Sequence, residues 1–149
     1  RTFIKPNQEE RELAVRMKLN ALPHVVGGKR IVLIDDSIVR GTTSGIIVKM
    51  LKEAGAKEIY MCVSSPTLEY SCHYGIDTSV RKELIAATHT VDEIRDFIKA
   101  DRLHYLSREG LCRAISDVKS NDLCFACFNG DYSVAVPVDQ EEGVKYVLE

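Results

Sequence analysis

The sequence predicts an α/β fold in which a parallel sheet is covered by helices on both faces. Residues 31–34 form an apolar, β-branched run without alternation, which is typical of a strand buried on both faces and central in its sheet. Residues 43–54 repeat apolar side chains at helical spacing, and Gly55 supplies a left-handed stop. Residues 58–64 read as a second strand, so the three segments form a βαβ unit with parallel strands.

Two further helices are predicted on either side of this unit. Residues 8–22 are rich in helix formers, and Pro23 should end that helix. Thr90 and Glu93 have the spacing of a capping box, which opens a helix. Four apolar side chains of that second helix should face the core: Val91, Ile94, Phe97 and Ile98.

The last third of the chain alternates less clearly. Residues 103–107 predict an edge strand, and residues 109–117 predict a short helix. Residues 119–131 contain Asn, Asp, Gly and two Cys, which indicates irregular backbone that needs an external tie. Residues 139–149 weakly favour a helix.

Composition excludes several classes of protein. The chain has 149 residues, 45% of them hydrophobic, which suits a single globular domain with a substantial core. Its 22 acidic and 20 basic residues are spread along the chain and leave a net charge of -2, so a nucleic-acid groove is not expected. No apolar run approaches the ~20 residues of a membrane span, and the polar start does not resemble a signal peptide. We therefore expect a cytoplasmic protein with no nucleic-acid or membrane partner.

The most informative stretch follows the first predicted strand. Asp35 and Asp36 are adjacent carboxylates at the edge where ligands of open α/β sheets bind. A glycine and three hydroxyl residues then lead into the helix: Gly41, Thr42, Thr43 and Ser44. Backbone N–H groups, hydroxyls and the helix dipole can converge there on a phosphate, and Gly41 allows close approach. Taken singly, a turn or a helix cap explains each feature better than a site does.

As one ordered string, Asp35 to Ser44 resembles the motif by which type I phosphoribosyltransferases bind phosphoribosyl pyrophosphate (PRPP). It matches neither a Walker A loop nor a dinucleotide fingerprint. The resemblance implies a type I phosphoribosyltransferase fold, with Asp35 and Asp36 as catalytic residues that engage the ribose hydroxyls directly or through Mg²⁺. It also implies that the following residues bind PRPP, mainly at its 5-phosphate: Ser37, Arg40, Gly41, Thr42, Thr43 and Ser44.

The run Asp-Asp-Ser-Ile-Val-Arg-Gly-Thr-Thr-Ser resembles one branch in particular, the glutamine-dependent amidophosphoribosyltransferases. Residues 1–20 resemble the flexible loop that closes over PRPP and excludes water, although an amphipathic helix with a solvated basic face is the simpler reading of that segment. Residues 74–77, 83–86 and 128–132 resemble later landmarks, so the resemblance covers essentially the whole chain. It implies transfer of ammonia to PRPP, giving 5-phosphoribosylamine and pyrophosphate in the first committed step of purine synthesis.

The same resemblance implies how the chain is organised. Residues 1–22 would be the flexible loop or helix, 29–107 the α/β core, and 108–149 a carboxy-terminal segment with the Cys-x-x-Cys pair. The glutaminase domain, which supplies ammonia from glutamine, would lie outside these residues, and the part in hand is expected to be inactive alone. Members of the family form homo-oligomers and are inhibited by purine nucleotides, so both properties are expected of the whole protein.

Five cysteines form no pattern typical of secreted disulfides, which favours free thiols or metal ligation. Cys124 and Cys127 have a spacing shared by zinc, iron-sulfur and dithiol redox sites, and alone it is a weak signal. An irregular segment is the wrong place for a thioredoxin-like pair. By resemblance to the cluster-bearing members of the family, Cys72, Cys124 and Cys127 are three ligands of a [4Fe-4S] cluster whose fourth ligand lies upstream. Zinc is the competing metal.

Two other functions remain open from the sequence. A salvage phosphoribosyltransferase would transfer the same group to a purine or pyrimidine base. It would need a hood that recognises the base, and it gives no reason for the three cysteines. A transcription regulator that senses PRPP would need a DNA-binding module, which this sequence does not show.

Overall fold

The computed structural model describes residues 19–76, 78, 80–115 and 122–136. These residues form two compact units, each assembled from separated stretches of chain. The first unit consists of residues 19–34, 41–62 and 91–104. The second consists of residues 35–40, 63–90 and, after residue 104, the described part of the chain up to residue 136.

A parallel sheet of three strands organises the chain in the order β1-β2-β3. The strands are β1 (Arg30–Asp35), β2 (Glu58–Val63) and β3 (Arg102–Tyr105). The N–H of Lys57 donates to the carbonyl of Lys29 over 2.8 Å, and that of Ser64 to the carbonyl of Asp35 over 2.9 Å, so the two strands run in the same direction. The predicted α/β class with a parallel sheet is confirmed.

Three helices accompany the sheet in the first unit: α1 (Pro23–Val26), α2 (Thr42–Glu53) and α3 (Val91–Ile98). Helices α2 and α3 pack against each other. Five apolar side chains of this unit are fully buried, each worth about 1.5–3 kcal/mol of hydrophobic stabilisation: Val48, Ile59, Met61, Ile94 and Ile98. The predicted helix at 43–54 and its stop at Gly55, which has φ +92°, are confirmed.

The prediction that β1 is central and buried on both faces is wrong for the described residues. β2 is the middle strand, and β1 lies at one edge of the described sheet. Val32 is 60% exposed and Ile34 is 72% exposed, since no described element covers that face of β1. An unalternating apolar run indicates two faces suited to burial, but it does not supply the elements that cover them.

Helix α3 also differs in part from expectation. It begins directly after Thr90, as the capping-box pattern predicts, and Ile94 and Ile98 are fully buried. Val91 and Phe97, expected to face inward, are instead 39% and 52% exposed. A helix of eight residues presents one narrow face to the core, and positions i and i+4 occupy it here.

Three other segments bear on the sequence predictions. Pro23 begins α1 rather than merely ending a helix, because proline is tolerated in the first turn. Residues 19–22 are not helical, and residues 8–18 of the predicted first helix lie outside the described residues, as do residues 139–149. The predicted edge strand near 103–107 is β3.

The described residues of the second unit include several short helical elements. Two 3₁₀ turns span Arg81–Glu83 and Ile85–Ala87, and helix α4 spans Arg108–Ala114. The irregular backbone expected over 119–131 includes a short helix, α5 (Ala126–Asn129), closed by left-handed Gly130. No helix within the described ranges has both the length and the apolar character needed to cross a membrane.

Candidate functional site

The acidic pair stands where β1 ends, and its backbone is held in place. The carbonyl oxygen of Asp35 accepts hydrogen bonds from the N–H of Ser64 at 2.9 Å and from the hydroxyl of Ser64 at 2.8 Å. The N–H of Asp36 donates to Oδ1 of Asp35 at 3.0 Å. The Asp36 side chain is exposed. Ser64 therefore fixes the start of the loop while one carboxylate stays accessible to a ligand.

The two carboxylates differ in their electrostatics. Partial burial raises the pKa of Asp35, and the charge of Asp36 raises it further, against the lowering effect of the hydrogen bond from the Asp36 N–H. Ionised together, the two side chains repel each other in a partly desolvated place. A divalent cation or a ribose with developing positive charge would relieve that repulsion, so the pair suits oxygen coordination of Mg²⁺.

Ser37 turns toward the acidic pair. Its N–H donates to Oδ1 of Asp36 at 2.6 Å, and its hydroxyl lies 3.3 Å from the same oxygen. The Ser37 side chain was expected to contact substrate. Its hydroxyl lies beside the Asp36 carboxylate, and its contact with substrate stays a prediction.

The end of the loop is fastened at three consecutive residues. The side chain of Ile38 is 2% exposed, so a buried apolar residue anchors the loop. The carbonyl of Val39 accepts the N–H of Ile85 at 2.9 Å. Arg40 forms an ion pair with Glu83, in which Nε and Nη2 both donate to Oε2, the Nε contact at 2.8 Å. The loop therefore has a defined path on both sides of its exposed acidic residue.

Helix α2 begins immediately after this loop, in the first unit. Gly41 is its N-cap residue and adopts a left-handed conformation with φ +74° and ψ -14°. Glycine has no side chain that could cap the helix, so its first N–H groups receive no N-cap side-chain acceptor. The helix dipole and these N–H groups are together suited to attract an anion. Thr42 and Thr43 are half-buried, whereas Ser44 is buried, with 3% of it exposed.

Cys72, Cys124 and Cys127 are free cysteines of the second unit. Burial is the main reason that the pKa of Cys127 is raised, and the charges of Cys72 and Cys124 raise it further. No set of three His, Cys, Asp or Glu side chains among the described residues is arranged to hold a metal ion.

The segment that holds Cys127 is tied to the rest of its unit by hydrogen bonds that the sequence did not indicate. The carbonyl of Cys127 accepts the N–H groups of Glu69 and Tyr70, each at 3.1 Å. The hydroxyl of Tyr132 donates to the carbonyl of Ser71 at 2.6 Å. A β-carbon at Gly130 would lie 2.7 Å from the ring of Tyr70, so glycine is required there for close packing as well as for its left-handed conformation.

Sequence reasoning missed two residues that shape the loop. Ser64 fastens the carbonyl of Asp35, and Glu83 fastens the guanidinium of Arg40. Both lie far along the chain from the motif and belong to no pattern with a known chemical spacing. Only the resemblance of residues 83–86 to a family landmark drew attention to Glu83.

Comparison with known proteins places this geometry in context. No protein-family model matches the chain. An amidophosphoribosyltransferase of Bacillus subtilis is 54% identical over 142 residues, which are 93% of this chain and 30% of that protein. Amidophosphoribosyltransferases of Synechocystis and Methanocaldococcus jannaschii are each 52% identical, over 100% and 91% of this chain and 30% and 28% of those proteins. The chain thus spans about 30% of the length of the relatives it matches.

Solved structures agree with the sequence relatives. The glutamine PRPP amidotransferase of Bacillus subtilis, complexed with ADP and GMP, has a TM-score of 0.78 at 54% identity and covers 93% of this chain. A structure described as the allosteric regulatory enzyme of purine biosynthesis also has a TM-score of 0.78, at 52% identity over 97% of this chain. This chain covers 31% and 33% of those two chains. The resemblance stated from the sequence motifs is confirmed over these residues.

Proposed function

We propose that this chain is the PRPP-binding part of an amidophosphoribosyltransferase, in which ammonia displaces pyrophosphate from PRPP to give 5-phosphoribosylamine. The observation that most supports it is the conformation of one continuous stretch. An exposed carboxylate follows a parallel strand, and an uncapped helix begins after a left-handed glycine six residues beyond Asp35. Relatives about half identical over nearly the whole chain are amidophosphoribosyltransferases.

The chemistry needs few groups from the protein. The lone pair of ammonia forms a bond to C1 of the ribose, while the bond from C1 to the pyrophosphate oxygen breaks and its electron pair leaves with pyrophosphate. The nitrogen then loses a proton to solvent. Positive charge develops on the ribose during this step, and the carboxylates of Asp35 and Asp36 would stabilise it while they hold the hydroxyls. Mg²⁺, when bound with these carboxylates and PRPP, would offset the charge of the leaving pyrophosphate.

The 5-phosphate would bind at the start of α2. The uncapped N–H groups of the first turn and the hydroxyls of Thr42 and Thr43 supply donors, and the helix dipole adds attraction. Gly41 would let the main chain approach the phosphate without a side chain between them. Ser44, which is 3% exposed in the first turn of α2, would belong to the same phosphate-binding turn.

For Cys72, Cys124 and Cys127 we propose ligation of a [4Fe-4S] cluster with a fourth thiolate from elsewhere in the protein. The influence of Cys72 and Cys124 on the pKa of Cys127 supports a shared site, and zinc is the competing metal. The role would be structural, because the ligands join residue 72 to the segment at 124–127. Redox chemistry is not needed for the displacement of pyrophosphate.

The rest of the proposal concerns the whole protein. A glutaminase part would supply ammonia from glutamine, and residues 1–20 would close over PRPP. The boundaries 1–22, 29–107 and 108–149 remain our proposal for the loop, the core and the carboxy-terminal segment. Purine nucleotides are the expected feedback inhibitors, since a Bacillus subtilis relative was solved with ADP and GMP. We also expect homo-oligomers and a cytoplasmic location.

Substitution of the exposed carboxylate tests this function. In the intact protein, Asp36→Asn should lower the rate of ammonia-dependent phosphoribosylamine formation about 10²- to 10³-fold. Loss of one positioned charge of this kind costs roughly 2.7–4 kcal/mol of transition-state stabilisation. Glutamine hydrolysis should remain measurable. Asp92→Asn on the surface of α3 is the matched control, because the Asp92 side chain is 82% exposed. Near-normal transfer by Asp36→Asn would remove the acidic pair from the site.

A further inference from the structure

The contact between Arg40 and Glu83 joins the phosphate-binding loop to a segment 43 residues further along the chain. Nε and Nη2 of Arg40 both donate to Oε2 of Glu83, so the carboxylate holds one edge of the planar guanidinium. The two side chains are 30% and 38% exposed, which places the contact at the surface of the second unit rather than in its core.

A second bond reinforces the same contact. The N–H of Ile85 donates to the carbonyl of Val39 at 2.9 Å, directly beside Arg40 in the chain. Ile85 is 7% exposed and Leu84 is 1% exposed, so this stretch is anchored in the interior of its unit. Glu83 therefore presents its carboxylate from a firmly held backbone, which makes it a fixed support for the loop.

The ion pair has an electrostatic cost for anion binding. Glu83 neutralises much of the charge that Arg40 would otherwise offer to a phosphate. If attraction by Arg40 were the main need, a partner carboxylate would be unfavourable. The geometry fits a different role, in which the direction of the loop leading into Gly41 matters more than the charge of Arg40.

We infer that Glu83 is a positioning residue for PRPP binding, which acts through Arg40 to hold the end of the loop in its binding conformation. This inference rests on the proposed function and extends it to a residue outside the motif. Removal of the Glu83 charge should therefore weaken PRPP binding. Simple electrostatics predicts the opposite, because the change also removes a negative charge near a polyanionic ligand.

The test is calorimetric titration of the intact protein with PRPP and Mg²⁺. Glu83→Gln should raise the Kd for PRPP about tenfold, because loss of a charge-assisted contact lets the loop depart from its productive position. Turnover at saturating PRPP should change much less than the KM. Glu53→Gln is the matched control, since it removes the carboxylate of the exposed pair between Lys49 and Glu53 on α2.

A double-mutant cycle distinguishes positioning through Arg40 from an unrelated effect of Glu83. Arg40→Gln should weaken PRPP binding, and addition of Glu83→Gln to that variant should weaken it little further. Additive losses would overturn the inference, as would an unchanged or lower Kd for Glu83→Gln with unchanged thermal stability. Failure of the unsubstituted protein to bind PRPP would count against the proposed function itself, so the two failures are separable.

Discussion

Substitution of Gly41 by alanine tests how the loop meets its phosphate. Gly41 has φ +74°, a left-handed conformation that costs an ordinary L-residue about 1–2 kcal/mol. Gly41→Ala should therefore lower the free energy of unfolding by about that amount. The added methyl group also stands where the main chain is proposed to approach the 5-phosphate. A hydrogen bond to a charged group contributes roughly 1.5–3 kcal/mol, so PRPP affinity should fall about ten- to a hundredfold.

Gly28 provides the matched control for this substitution. It has φ +69°, and a β-carbon built there meets no atom within 4 Å. It precedes β1, whereas Gly41 follows it. Gly28→Ala should therefore lose stability through backbone strain and keep normal PRPP affinity.

The assay pairs urea unfolding with calorimetric titration of PRPP and Mg²⁺ on the two intact variants. Comparable losses of stability, with loss of affinity in Gly41→Ala alone, are the expected result. Equal PRPP affinities for the two variants would refute the close approach at Gly41. Unchanged stability of Gly28→Ala would refute the strain argument instead.

Three other substitutions follow from the structure. Asp35 has a raised pKa in the folded protein, so its ionisation opposes folding as the pH rises through that pKa. Asp35→Asn should therefore increase the free energy of unfolding in urea at pH 7, while it abolishes most phosphoribosyl transfer. A lower free energy of unfolding than that of the parent at pH 7 would contradict this. Lys99 directly follows α3 and has φ 60°, so Lys99→Gly should raise the free energy of unfolding by roughly 1 kcal/mol. A lower free energy of unfolding would mean that the side chain is needed there. Cys127→Ser in anaerobically prepared intact protein should remove iron and acid-labile sulfide, whereas Cys62→Ser should retain both, and stoichiometric zinc without sulfide in the parent would exclude the cluster.

The elements near the motif were the most predictable part of the fold. Helix α2 has a regular apolar period and a glycine stop, and both are local properties of the sequence. Strand β2 is likewise marked by its composition. The exposure of Val32 and Ile34 was not predictable, because burial of a strand face depends on elements distant in sequence. The outward position of Phe97 has the same origin, since helical spacing alone does not say how wide the covered face is.

The residues of the site also differ in how far the sequence could predict them. Asp35, Asp36 and Gly41 lie in one contiguous motif, so their chemistry could be stated from the sequence alone. The supports of that motif, Ser64 and Glu83, reach it only through the tertiary fold. Ser37 was assigned to substrate binding from its place in the motif. Its hydrogen bonds to Asp36 depend on a local turn that the sequence did not reveal.

The most direct test of the central claim is the stoichiometry of products formed by the intact protein from PRPP, Mg²⁺ and ammonia. We predict that one pyrophosphate is released for each 5-phosphoribosylamine formed, and that no phosphoribosyl group is transferred to added purine or pyrimidine bases. Transfer to a base in place of ammonia would identify a salvage enzyme. Tight binding of PRPP without any pyrophosphate release would identify a sensor, and either result would contradict the account.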